Sequence, residues 1–196
     1  MFTVLRNAYI GSMGEFTRPF AVKPFCAIMA PGTRLLEEAR NLLETNWGSI
    51  ELTSDVFDVA EYTEYYDQDM PEGLLKQFVS FETLTNVESM NQEAKFWTNS
   101  MEDRYRLPDG QRRLNLDPGY LTLDKLVLYT TKNFSHRLYL REGLFAEVTL
   151  SYSKRWGQYQ PHDYTYPDYV TAAALDFFLA MRQRMALQLH SLEEEL

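Results

Sequence analysis

At 196 residues and 45% hydrophobic composition, the chain is sized for one domain able to bury about 70% of its unfolded surface. A formal charge of −9 and a pI near 4.9 argue against general nucleic-acid binding, which needs a basic face. The single cysteine, Cys26, excludes an internal disulfide and any paired-cysteine metal or redox site.

The chain opens with an irregular, aromatic-rich arm over residues 1–20. No basic start leads into a hydrophobic segment there, and no apolar run approaches the roughly 18 residues of a membrane span. The expected setting is therefore the cytoplasm, with no membrane partner. Residues 22–30, between Pro24 and Pro31-Gly32, form an apolar run that predicts a buried strand and makes Cys26 a buried thiol. Thr33 is the expected N-cap of a helix whose Leu35, Leu36, Ala39, Leu42 and Leu43 recur at helical spacing up to Gly48. Alternation from Ile50 to Val56 predicts a second strand.

The segment Asp55–Met70 then carries six acids, no base and three tyrosines. Its spacing matches no metal loop. A turn at Pro71-Glu72-Gly73 leads to a third strand over 76–83, and residues 87–105 read as a helix burying Phe96, Trp97, Met101 and Tyr105. A fourth strand is expected over 112–116. This succession predicts an α+β fold in ferredoxin-like βαββαβ order, a single mixed sheet with helices packed on it. Beyond it come residues 122–132, read as a helix capped by Thr122 although Val127, Tyr129, Thr130 and Thr131 prefer strand, then a β-hairpin, an aromatic loop over 153–169 and a C-terminal helix opened by Pro167-Asp168. The tail 190–196 is expected to fray. The hairpin pattern places a three-residue loop at 141–143, a type I turn with a bulge. Leu140 then faces Leu144, Leu138 faces Ala146 and Arg137 faces Glu147, with the apolar residues on one side and the ion pair at the surface.

Charge is unevenly spread. Between Arg104 and Arg141 eight Lys/Arg stand against three Asp, a local +5 that leaves −14 for the remainder. That basic stretch contains the loop-like Asn115-Leu116-Asp117-Pro118-Gly119-Tyr120, where Pro118-Gly119 fits the centre of a type II turn. It also contains Lys132 and His136. Asn115 and Asp117, two apart, project to one face of an extended segment and suit a ligand hydroxyl, or a divalent ion through Asp117. Lys132 suits a phosphate or carboxylate, and Tyr120 can stack or hydrogen-bond. His136, with an ordinary pKa of about 6.5, suits proton transfer near neutrality.

The phrases KPFCAIMAPGT, YTEYYDQDM, FVSFETL, NLDPGYLTLDKLVLYTTKNFSHRLYL, GLFAEVTLSY and TYPDY are similar, over about residues 20–170, to a bacterial family known only as a domain of unknown function. The resemblance implies no particular activity. Relatives have been labelled GTP-binding, but the chain has no P-loop, and Thr131-Lys132-Asn133-Phe134 carries Phe134 where a guanine-reading [NT]KxD needs Asp. The expectation is a single domain (1–196) that binds, and is equipped to transform, a small anionic metabolite or nucleotide between the NLDPGY segment and the Lys132–His136 turn. Its catalytic candidates are His136 and Asp117; its binding candidates are Asn115, Tyr120 and Lys132. No metal is assigned and no cofactor is indicated. The alternative is a non-catalytic interaction module that meets a protein through its acidic, tyrosine-rich loops (62–66 and 156–169).

Overall fold

The computed structural model describes residues 20–62 and 70–194. One antiparallel sheet stands between two helices on one face and a third on the other. Its centre is β1 (Ala21–Pro31), whose nine inner residues are all buried. β1 does not alternate because each face enters a different core. Cys26, Ile28 and Ala30 meet the first two helices, while Phe25 and Ala27 meet the third.

Gly32, at φ 77°, turns the chain out of the sheet into α1 (Thr33–Trp47). Thr33 is thus the first helical residue and not the cap, and no side chain caps this end. Gly32 occupies the cap position because a backbone turn with positive φ is needed straight after the strand. α1 buries Leu35, Leu36, Ala39, Leu43 and Trp47. It is followed by β2 (Ile50–Thr53), the short β3 (Phe57–Asp58), β4 (Leu74–Phe81) and the short β5 (Thr85–Asn86). α2 (Val87–Arg104) begins at Asn86, whose side chain accepts from the Ser89 amide at 2.7 Å. Trp97 of α2 lies 5.8 Å from the ring of Trp47. Phe96, expected inside, is exposed.

From there the chain departs further from expectation. Residues 115–121 are not a loop but a strand, β6 (Asn115–Leu121). The expected helix over 122–132 is replaced by β7 (Lys125–Thr130), in which Leu126, Val127, Leu128 and Tyr129 are buried toward both faces. Its Val and Tyr residues favour strand, and Thr122 caps a tight turn rather than a helix, its hydroxyl accepting from the amide of Lys125 at 3.2 Å. β8 (Leu138–Arg141), β9 (Leu144–Ser153) and β10 (Gln158–Pro161) follow, then a 3-10 turn at Pro167–Tyr169 and α3 (Ala172–Glu194). Pro167-Asp168 therefore opens that turn and not the helix.

The strands lie in the order β10-β9-β7-β6-β1-β4-β2, with β3 on β4, β5 on β1 and β8 on β9. Among the described residues every strand pairing is antiparallel, so the sheet they form is antiparallel where a mixed one was expected. Among the described residues it has ten strands, because β7 to β10 extend it beyond β6, so the predicted βαββαβ unit does not describe the whole. The β8–β9 hairpin also differs. Arg141 pairs with Leu144, and both Glu142 (φ 43°) and Gly143 (φ 78°) have positive φ, the signature of a two-residue type I′ turn. Leu138 faces Ala146 as expected, but Leu140 is displaced by a register shift, and both leucines are exposed.

Candidate functional site

β6 and β7 pair only where Gly119, Tyr120 and Leu121 meet Leu128, Val127 and Leu126. One residue earlier stands Pro118, which has no N–H to donate. Side chains and backbone groups alternate along a strand, and Leu116 directs its N–H and C=O away from β1, so Pro118 lies on the same side. The ladder stops at this proline, and the two strands part toward Asn115 and Thr130. Two side chains of α2 occupy the place of the missing partner. Glu102 Oε1 accepts from the Leu116 amide at 2.8 Å, and Lys95 Nζ donates to the Leu116 carbonyl at 2.9 Å. Gly119 beside it is fixed by packing: a Cβ there would lie 2.4 Å from the Val127 carbonyl oxygen and 2.6 Å from the Phe25 ring.

The parting opens into a cleft of about 810 Å³. α2 and the 109–112 segment form one wall; β7, Lys132, Arg137 and Glu147 form the other, with Tyr166 and Tyr169 at its side. Five basic and five acidic residues line it. Buried charge is concentrated here in matched sets, as burial of ions requires.

On the first wall Lys95 Nζ lies 3.4 Å from Asp117 Oδ1 and 3.5 Å from Glu102 Oε1. Burial alone depresses the Lys95 ammonium, but Asp117 and Glu102 outweigh it and hold its pKa above the ordinary value. Burial alone raises the Asp117 carboxyl, yet Lys95, Lys76 and the hydrogen bond from Asn115 leave it below its ordinary value. Glu102 differs: burial dominates, Lys95 compensates only in part, and its carboxyl stands above the ordinary value. Two neighbouring carboxyls are thus pushed apart, a disposition that proton-transfer sites share. Asn115 joins this wall's charges into a row. It accepts from Arg112 at 3.1 Å through Oδ1 and donates to Asp117 Oδ2 at 2.7 Å through Nδ2.

On the second wall Glu147 Oε2 accepts from Arg137 Nε at 2.6 Å and lies 3.1 Å from His136 Nε2. Arg137 also reaches the Lys132 carbonyl at 3.1 Å and the Tyr166 hydroxyl at 3.2 Å. The Arg137–Glu147 side chains are only 3% and 1% exposed, so this pair is no surface contact. His136 and Arg137, which a regular strand would direct to opposite faces, converge on one oxygen because they belong to a turn before β8 rather than to the strand itself.

Of the residues singled out from sequence, Asn115, Asp117 and Lys132 line the cleft. His136 stands behind Glu147, its ring stacked on Tyr164 at 4.2 Å. Tyr120 lies on the other face of β6, buried beside Tyr129, and does not reach the cleft. In the aromatic segment, Tyr159 and Tyr169 are buried and Tyr164 donates to the Val148 carbonyl at 3.0 Å. The other tyrosine-rich stretch falls mostly within residues 63–69, outside the described residues. The sequence does not single out Lys95, Glu102 or Arg112 as site residues, and it places Glu147 only in a surface pair with Arg137. Lys95 and Glu102, seven apart, share a helical face with the buried Met101 and Thr98, and charges within an apolar stripe were the available signal.

Among the described residues no group of His, Cys, Asp and Glu is arranged to hold a metal ion, and no helix is long and apolar enough to cross a membrane. No curated protein and no solved structure matches the chain. A family model does, over residues 21–185. The chain belongs to the family described as Domain of unknown function (DUF4416).

Proposed function

We propose that this protein binds a small anionic metabolite or nucleotide in the cleft between β6 and β7, and that proton transfer on the bound molecule is the chemistry it is equipped for. What supports this is the parting of the sheet. A gap between neighbouring strands, lined with buried ion pairs instead of ladder hydrogen bonds, costs stability that an apolar repacking would recover, and such sites are disproportionately functional. In this reading Arg112 and Lys132 receive the anionic group, Asn115 and Asp117 orient the remainder, and the Glu102–Asp117 pair exchanges the proton. His136 acts through Glu147 as a positioning residue.

The test is a thermal-shift screen of the full chain against sugar phosphates, nucleotides, organic acids and amino acids, followed by calorimetry. A ligand at about 100 times its Kd adds about 2.7 kcal/mol, a rise of roughly 5–10 °C for a domain of this size. The shift should vanish in Lys132→Ala or Arg112→Ala while the unliganded proteins melt alike. If the hits persist in both variants, the ligand sits elsewhere and the reading fails.

A further inference from the structure

The charges of the cleft carry the reading of a bound anion one step further. We infer that its ligand is a zwitterion of the amino-carboxylate class, an α-amino acid or a close relative; this rests on the cleft being the binding site. The lining is charge-balanced, with as many acidic as basic residues. A polyanion such as a nucleoside triphosphate would bring several negative charges against five carboxylates. A molecule with one charge of each sign fits without leaving either uncompensated.

These charges are matched to one another: Arg137 with Glu147, Lys95 with both Asp117 and Glu102, and Arg112 with Glu102 at 3.9 Å. The row Arg112–Asn115–Asp117 presents the two signs in a fixed order. The Arg112 and Asp117 side chains are 21% and 27% exposed, while Asn115 between them is buried. The Asn115 amide has only one sensible orientation, carbonyl to the guanidinium and NH₂ to the carboxylate, so it locks both neighbours.

Dimensions agree as well. Hydrogen bonds of 3.1 and 2.7 Å on either side of one amide set the row at up to about 8 Å from guanidinium nitrogen to carboxylate oxygen. An α-amino acid placing its carboxylate on one charged group and its ammonium on the other, through hydrogen bonds of about 2.8 Å, needs a similar span. The ligand's carboxylate then meets Arg112 and its ammonium meets Asp117, whose low carboxyl pKa keeps it ionised.

The experiment compares binding of free L-amino acids to the full wild-type chain with their N-acetylated and C-amidated forms, and with inorganic phosphate and ATP, by calorimetry. At least one free amino acid should bind, and blocking either end should weaken it by about tenfold or more, the loss of one charged contact. In Asp117→Asn the penalty for acetylation should shrink, and in Arg112→Gln the penalty for amidation should shrink. Blocked and free forms binding alike, or phosphate or ATP binding where no amino acid does, overturns the zwitterion while leaving an anion site in the cleft. Absence of binding by every probe in both screens overturns the cleft reading with it. The comparison of blocked with free ligands is made on the wild-type protein, so it holds even where a variant folds poorly.

Discussion

Pro118 and Gly119 show how a residue can carry one meaning in sequence and another in the fold. Side by side they are the strongest turn signal in this part of the chain, yet both lie within β6. Pro118 is tolerated because its missing N–H would have pointed into the gap where no partner strand runs. Gly119 is there because the Phe25 ring and the Val127 carbonyl occupy the place of a side chain. Neither reason is local, so neither can be read from neighbouring residues. Gly119→Ala should therefore destabilise by about 1–3 kcal/mol or more, the cost of overpacking against groups that cannot yield, measurable by urea denaturation; an unchanged midpoint would mean that β1 and β7 shift freely here. Asp117 offers a test with a sign. Its carboxyl is held below its ordinary value, so its stabilisation is present above the unfolded-state pKa of about 3.9 and is lost as pH falls through the folded-state value. Asp117→Asn should cost about 1–3 kcal/mol near neutrality and converge with the wild type in strong acid. A difference independent of pH would rule out the Lys95 interaction as its source.

Elements were more legible than their edges. The bounds of β1, α1 and α2 follow from apolar runs and helical spacing, whereas the stretch that forms β7 is ambiguous, since Leu123, Leu126 and Val127 fit a helix while Val127, Tyr129, Thr130 and Thr131 prefer strand. What spacing does not report is that α2 serves the sheet as a substitute strand at Leu116. Lys95 holds the carbonyl there and Glu102 the amide, and their contributions should differ. Lys95→Met strands the Leu116 carbonyl and leaves Asp117 and Glu102 facing each other, so a loss of about 3–5 kcal/mol is expected. Glu102→Gln keeps an acceptor for the Leu116 amide. Since burial raises the Glu102 carboxyl, its contribution is fullest below the unfolded-state value and is lost as pH rises through the folded-state value. Near neutrality the glutamine should therefore cost no more than about 1 kcal/mol. Paired urea titrations at neutral pH decide this, and comparable losses in the two variants would contradict the division of labour.

At the scale of the whole molecule, the succession of helices and strands is readable through α2, apart from the short β3 and β5, but not the breadth of the sheet, because strand partnership joins residues far apart in sequence. The same holds for the contact that fastens its second face. Lys76 of β4 and Asp168 of the 3-10 turn, 92 positions apart, form a fully buried ion pair. Lys76 Nζ lies 4.4 Å from the Tyr169 ring centroid and 5.2 Å from that of Phe78. Among the described residues Asp168 Oδ1 meets no hydrogen-bond donor, so the pair is imperfectly satisfied there. Lys76→Met alone should cost about 3–5 kcal/mol, as it leaves a buried carboxylate without its cation. Lys76→Met combined with Asp168→Leu should recover most of that loss, because replacing both charges by apolar groups removes the desolvation penalty along with the attraction. A double-mutant cycle by chemical denaturation measures the coupling, and additive losses would show that each residue acts through other contacts. Tyr166 and Tyr169 flank Asp168 and line the cleft, so the cycle also bears on function. If the ion pair serves only to seat this segment on the sheet, the double variant should bind the cleft's ligand as the wild type does, whereas the single variant should bind it more weakly.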